Sequence, residues 1–135
     1  MSKPIKDIEG IGPVYAGKLA AIGIHTVHAL LDKGCTGSGR KELAEKTGIS
    51  ETLVLEWVNM ADLFRIEGIG EEYSDLLEEA GVDTVVELSK RVPENLYEKL
   101  EQVNEEKKLV RQLPTLDIVK KWIEQAKTLP KKVEY

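Results

Sequence analysis

At 135 residues, with 41% apolar and 32% charged residues, the chain is one domain in length and too apolar for disorder. Its single cysteine, Cys35, excludes an internal disulfide and suits a reducing cytoplasm, while the formal net charge of -5 argues against wholesale polyanion binding. No apolar run reaches membrane-spanning length and residues 1–6 contain no signal-peptide core, so a cytoplasmic protein without membrane contact is expected.

In chain order, Ile8-Glu9-Gly10-Ile11-Gly12 comes first, and Pro13 after it suits the first turn of a helix running to about Ile22. Gly23 then fits the left-handed position past the helix end. Thr26 is an N-cap for a short helix that Gly34 closes. Residues 35–39, Cys-Thr-Gly-Ser-Gly, read as a loop, residues 40–46 as a short helix stopped at Gly48, and Ser50 caps a longer helix reaching about Leu63. The letters IEGIG return at 66–70. Thr84, with Glu87 at capping-box spacing, opens another short helix, and Pro93, Pro114 and Pro130 punctuate helices near 94–103, 105–112 and 116–129. No stretch alternates at period two for long enough to make a sheet, so the fold class is all-α.

Sliding the chain by 58 positions superposes the two IEGIG segments, and the match continues through Tyr15 with Tyr73, Leu19 with Leu77 and Thr26-Val27 with Thr84-Val85. After a slip of seven, Val54, Trp57, Val58 and Ala61 align with Val119, Trp122, Ile123 and Ala126, each set following the i, i+3, i+4, i+7 spacing of one helix face. We read two copies of one helical unit, residues 1–61 and 62–135, the second with a longer middle. The helix near 52–63 leads into the second turn, whereas no helix precedes the first. The Trp122 helix is therefore expected to complete the first unit, packing Trp122, Ile123 and Ala126 near Ile8, Ile11 and Leu19 and closing residues 1–135 into a single compact, pseudo-twofold domain.

Helix, apolar-Gly-apolar-Gly turn, helix is the pattern of the helix-hairpin-helix motif, and both IEGIG segments resemble it. The resemblance implies that the isoleucines plug the hairpin and that amides at the start of the following helix face a phosphate, which reads a DNA or RNA backbone without sequence preference. In the first copy this points to Gly10, Ile11, Gly12, Val14 and Lys18, in a half whose seven basic and seven acidic residues cancel. Arg40 and Lys41, after the Thr36-Gly37-Ser38-Gly39 stretch, are candidate auxiliary contacts. In the second copy Glu67, Glu71, Glu72, Asp75, Glu78, Glu79 and Asp83 crowd the turn, with no Lys or Arg between 66 and 89. Repulsion excludes a phosphate there, so that turn is expected to serve packing. An alternative function is a protein-interaction adaptor in which Glu71, Glu72, Asp75, Glu78 and Glu79 meet a basic protein partner.

Other signals are weaker. Residues 40–58 have helix-turn-helix spacing, but Glu51 and Glu56 would face the groove. His25, His28 and Cys35 lack a fourth metal ligand and read as surface histidines and a buried thiol, while Trp57 and Trp122 read as core anchors. No nucleophile–base pair or phosphate-loop lysine occurs, so neither catalysis nor a cofactor or metal is expected. The doubled unit, with Gly-Arg-Lys-Glu-Leu-Ala-Glu-Lys-Thr-Gly-Ile at 39–49, Trp-Val-Asn-Met-Ala-Asp-Leu at 57–63 and Val-x-x-Trp-Ile-x-x-Ala at 119–126, resembles a family of tandem helix-hairpin-helix domains of unassigned function. Its first half is similar to the small N-terminal helical domain of RecA-like recombinases, where a hairpin helps to hold DNA.

Overall fold

Regular structure in the computed structural model, which describes residues 3–135, is helical, and no strand occurs among the described residues beyond an isolated bridge between Pro4 and Thr26. A 3-10 turn at Ile5–Asp7 precedes α1 (Pro13–Ala20), α2 (Val27–Gly34), α3 (Gly37–Thr47), α4 (Glu51–Leu63), α5 (Glu71–Glu79), α6 (Val85–Ser89), α7 (Pro93–Lys107) and α8 (Leu116–Thr128). Two units are distinguishable: residues 1–62 with 132–135, and residues 63–131.

Side-chain caps start most of these helices. The hydroxyls of Thr26, Thr36, Ser50, Thr84 and Thr115 accept from the amides of Ala29, Gly39, Leu53, Glu87 and Ile118 at 3.0 to 3.3 Å. Each cap satisfies an amide that the helix itself cannot, worth about 1 kcal/mol. Only half of the expected capping box at Thr84 forms, because the Glu87 carboxylate turns instead to Arg91 at 3.2 Å.

Two local expectations change. Residues 37–39 belong to α3, which Thr36 caps, and the glycines there serve packing instead of loop flexibility. A Cβ on Gly39 would stand 1.9 Å from the Lys33 carbonyl oxygen, so α2 can end against the start of α3 only if residue 39 has no side chain. The second change is at 94–112: α7 runs unbroken to Lys107, since nothing between Val103 and Lys107 interrupts it, and the residues beyond are not a second helix. Lys108 takes the left-handed conformation at φ 51°, and the Asn104 carboxamide accepts from the Val110 amide at 3.0 Å and donates to the Val110 carbonyl at 3.3 Å. This side-chain clamp gives the turned-back backbone the partners that a helix would have supplied.

The first unit buries Ile5, Ile8, Ile11, Leu19, Leu30, Leu43, Trp57 and Val58, and Gly34 lets α2 approach α4 because its Cβ would fall 2.4 Å from Val58. Val133 is also buried there. Around it the Glu134 amide donates to the Cys35 carbonyl at 2.7 Å, Lys132 pairs with Asp32 at 2.6 Å, and the Tyr135 hydroxyl donates to Asn59 at 3.3 Å. That lysine's hydrogen bond holds the Asp32 carboxyl below its ordinary range.

In the second unit α6 and α7 pack on α8, and α5 packs on α7. The shared core contains Leu63, Ile66, Ile69, Leu77, Leu88, Leu100, Val119, Trp122, Ile123 and Ala126. The expectation that the Trp122 helix completes the first unit is thereby corrected: Trp122, Ile123 and Ala126 lie in the core of the unit that carries them. The long middle of this unit lets α8 fold back on its own turn, and the Arg65 guanidinium, donating to the Pro130 carbonyl at 2.6 Å, fastens the end of that return.

Candidate functional site

Each IEGIG segment is built by the same bonds. The Ile11 amide donates to Ile8 and the Ile69 amide to Ile66, both at 3.1 Å, and Gly10 and Gly68 turn the chain at φ 94° and 91°. Such positive angles are strained for any residue with a Cβ. The Ala16 amide donates to Gly12 and the Ser74 amide to Gly70, both at 2.9 Å, which sets the first turn of the helix that follows. Beneath each turn lies an indole from the last helix of the unit. Trp57 packs on Tyr15 at 5.0 Å between ring centroids with a 59° tilt, and Trp122 packs on Tyr73 at 5.3 Å with a 58° tilt. These tilted contacts are favourable arrangements of aromatic quadrupoles.

In the first turn Ile11 is buried, as a plug should be, while Gly10, Gly12, Val14 and Lys18 are exposed, Val14 to 70%. Gly12 caps α1 without a side chain, and Pro13 has no amide. The amides of Gly12, Val14 and Tyr15 donate to no protein acceptor among the described residues. These donors lie at the positive end of the α1 dipole, where an anion is favoured.

Arg40 is not part of that surface. It is 7% exposed, and its guanidinium donates to the carbonyls of Gly34 at 2.9 Å and Glu134 at 2.6 Å, which commits it to holding α2, α3 and the closing segment together. Lys41 is exposed on α3. The α3 face beside it is partly neutralised, because Glu42 takes Lys33 at 2.7 Å and Lys46 at 2.8 Å. Hydrogen bonds from those two lysines lower the Glu42 carboxyl to about 2.

The second turn carries the expected acids, with Glu71, Glu72 and Glu79 exposed and Asp75 and Glu78 half-buried. Carboxylate oxygens of Asp75, Glu78 and Glu79 lie within 4.8 Å of one another. Lys107 answers this crowding from α7: its ion pair with Glu79 raises the lysine above its ordinary range. Sequence reasoning missed that cation because it is far along the chain.

His25 and His28 are exposed as expected, and His28 approaches Asp32 at 3.1 Å. Cys35 is half-buried instead of buried, and its thiol donates to the Asp32 carbonyl at 3.4 Å. One difference between the turns follows from their register: position 125, three residues after Trp122, corresponds to position 60, three after Trp57. Gln125 accepts from the Glu67 amide at 2.6 Å, whereas Met60 has no such oxygen to offer the equivalent amide of Glu9.

No helix among the described residues is long and apolar enough to cross a membrane. No curated protein and no solved structure matches the chain. The family described as Domain of unknown function (DUF4332) matches residues 9–129, a span that includes the Gly-Ile-Gly of both turns and both indoles, and the chain belongs to it.

Proposed function

We propose that the chain is a non-catalytic, cytoplasmic helix-hairpin-helix module that binds the nucleic-acid backbone, DNA in the first instance, without sequence preference through its first turn. The observation that carries this reading is the set of unengaged amides at Gly12, Val14 and Tyr15, in an exposed turn that also presents Lys18. Amides directed at a phosphate read no base, which is the reason to expect indifference to sequence. The second turn is left out of the nucleic-acid surface, since its acids would repel a phosphate at the place corresponding to the first turn's amides. Exposed Lys41 remains an auxiliary candidate, and Arg40 is left out because the fold already uses its donors.

The test is fluorescence anisotropy of a labelled duplex and a labelled single strand at low ionic strength. Binding that weakens steeply with salt and is abolished by Lys18→Glu supports the reading. Binding that is unchanged by Lys18→Glu removes it.

The crowded carboxylates of Asp75, Glu78 and Glu79 favour a second reading, an adaptor whose acidic α5 meets a basic protein. Absence of nucleic-acid binding at low salt, together with association with a lysine-rich polypeptide that Glu71→Lys and Glu72→Lys abolish, would favour it.

A further inference from the structure

We infer that the cleft beside the second turn is a binding site for a small monocarboxylate with an apolar body. The cleft encloses about 390 Å³ between the turn and α8. Trp122 forms its inner wall and is only 3% exposed, yet its indole N–H has no protein acceptor among the described residues. No fully buried side-chain nitrogen lacks a partner among those residues, so this N–H keeps some access to solvent, and it lies beside Gly68, which lines the cleft with it. Gly68 keeps it open: a Cβ at that position would stand 3.3 Å from the indole nitrogen.

Two further donors line the same space. Gln125 accepts from the Glu67 amide through Oε1, which fixes the orientation of its carboxamide and leaves Nε2 without a protein acceptor among the described residues. Lys121, exposed on α8 one position before Trp122, brings an ammonium to the rim. A ligand oxygen that accepts from these groups would satisfy a donor that is otherwise poorly hydrated. Ile118 and Tyr73 give the cleft an apolar side. Ile118 is 40% exposed, and the Tyr73 ring is held in place by its contact with Trp122 and by its hydroxyl donating to the Gln112 carbonyl at 3.0 Å.

Charge limits the class of ligand. Among the residues lining the cleft Glu67 is the one acid and Lys121 the one base. That balance disfavours a dianion such as phosphate and leaves room for a single carboxylate, whose apolar remainder lies on Ile118 and Tyr73. The first unit supplies an internal comparison: Glu56 and Met60 stand at the places of Lys121 and Gln125, so the same indole and turn lack both added donors.

The experiment is a titration of the full chain with phenylacetate, followed through the two indole N–H signals in a ¹H–¹⁵N spectrum, with Trp57→Phe assigning them. The expected result is a saturable shift of the Trp122 signal with a Kd on the order of 1 mM, while the Trp57 signal stays in place. Lys121→Glu and, separately, Gln125→Met should each weaken binding roughly tenfold with the rest of the spectrum unchanged. Phenylacetamide and inorganic phosphate should not saturate the site. The assignment is overturned by no saturable shift at Trp122, by equal shifts of both indoles, by equal binding of phenylacetamide, or by affinity that survives both substitutions.

Discussion

The indole nitrogen of Trp57 lies 3.4 Å from the point where a Cβ on Gly10 would stand, and Trp122 repeats the relation at Gly68 with 3.3 Å. The close approach joins the turn to the last helix of its unit; at Gly10 a Cβ would only reach van der Waals contact, and it is the φ of 94° that calls for glycine. Gly10→Ala is therefore expected to destabilise the protein by about 2 kcal/mol, most of it from the left-handed backbone. Urea denaturation would measure it as a lower midpoint at unchanged slope. Trp57→Ala, which empties a fully buried site, should cost about 3 to 5 kcal/mol by the same measurement.

Arg40 and Lys41 are adjacent in sequence and opposite in role. Removing the Arg40 guanidinium leaves the Gly34 carbonyl and the Glu134 carbonyl short of a charged donor. Arg40→Ala is expected to lose about 2 to 3 kcal/mol, and Lys41→Ala less than about 0.5 kcal/mol. Hydrogen exchange offers a second readout, because the Glu134 amide bonded to Cys35 should exchange faster only in the Arg40 variant.

Glycines 39 and 48 separate steric need from conformational need. At Gly39 an added methyl meets the Lys33 carbonyl at 1.9 Å, and a backbone atom cannot rotate away. At Gly48 the space is open and only the φ of 74° resists substitution. Gly39→Ala should thus cost about 3 kcal/mol or more, and Gly48→Ala about 1 kcal/mol, as read from thermal or urea unfolding.

The Glu42 carboxyl titrates at about 2 in the folded chain, against an ordinary 4.5, because Lys33 and Lys46 both donate to it. A depressed acid contributes stability that is present above its unfolded pKa and is lost as pH falls through the folded one. The contribution should therefore fade between pH 4.5 and about 2. A ¹³C titration of the Glu42 side chain should give the low midpoint, and the double variant Lys33→Met, Lys46→Met should return it toward 4.5. Added salt should move the midpoint upward, since the pair is on the surface.

Much of the helical content was legible because its signals are local. Thr26, Ser50 and Thr84 cap the helices they were expected to cap, and Gly23 and Gly48 take positive φ where a helix had to end. The 58-residue shift likewise found both turns and their tyrosines, and the further slip of seven aligned the two tryptophans, whose contacts with those tyrosines the structure supplied. Errors arose where a partner outside the helix pattern decided the outcome. Thr36 and Gly37-Ser38-Gly39 looked like a loop until the Lys33 carbonyl explained why glycine was needed at 39. Arg40 looked like a free cation because one of its two acceptors, the Glu134 carbonyl, is ninety-four residues away, and the other is a backbone carbonyl that only the packing of α2 on α3 presents.

By itself the amino-acid sequence determined that this protein is helical, that a turn of one design occurs twice, and that only the earlier copy is free of crowding acids. Capping, glycine angles and helix periodicity act within a few residues, so they are present in the string. Tertiary structure alone decided that the Trp122 helix returns to its own turn, that Arg40 faces inward, that Lys107 meets Glu79, and that Trp122 keeps an open donor. Those outcomes depend on which surfaces meet after the connections close, and an apolar helix face does not specify which of several apolar faces will cover it.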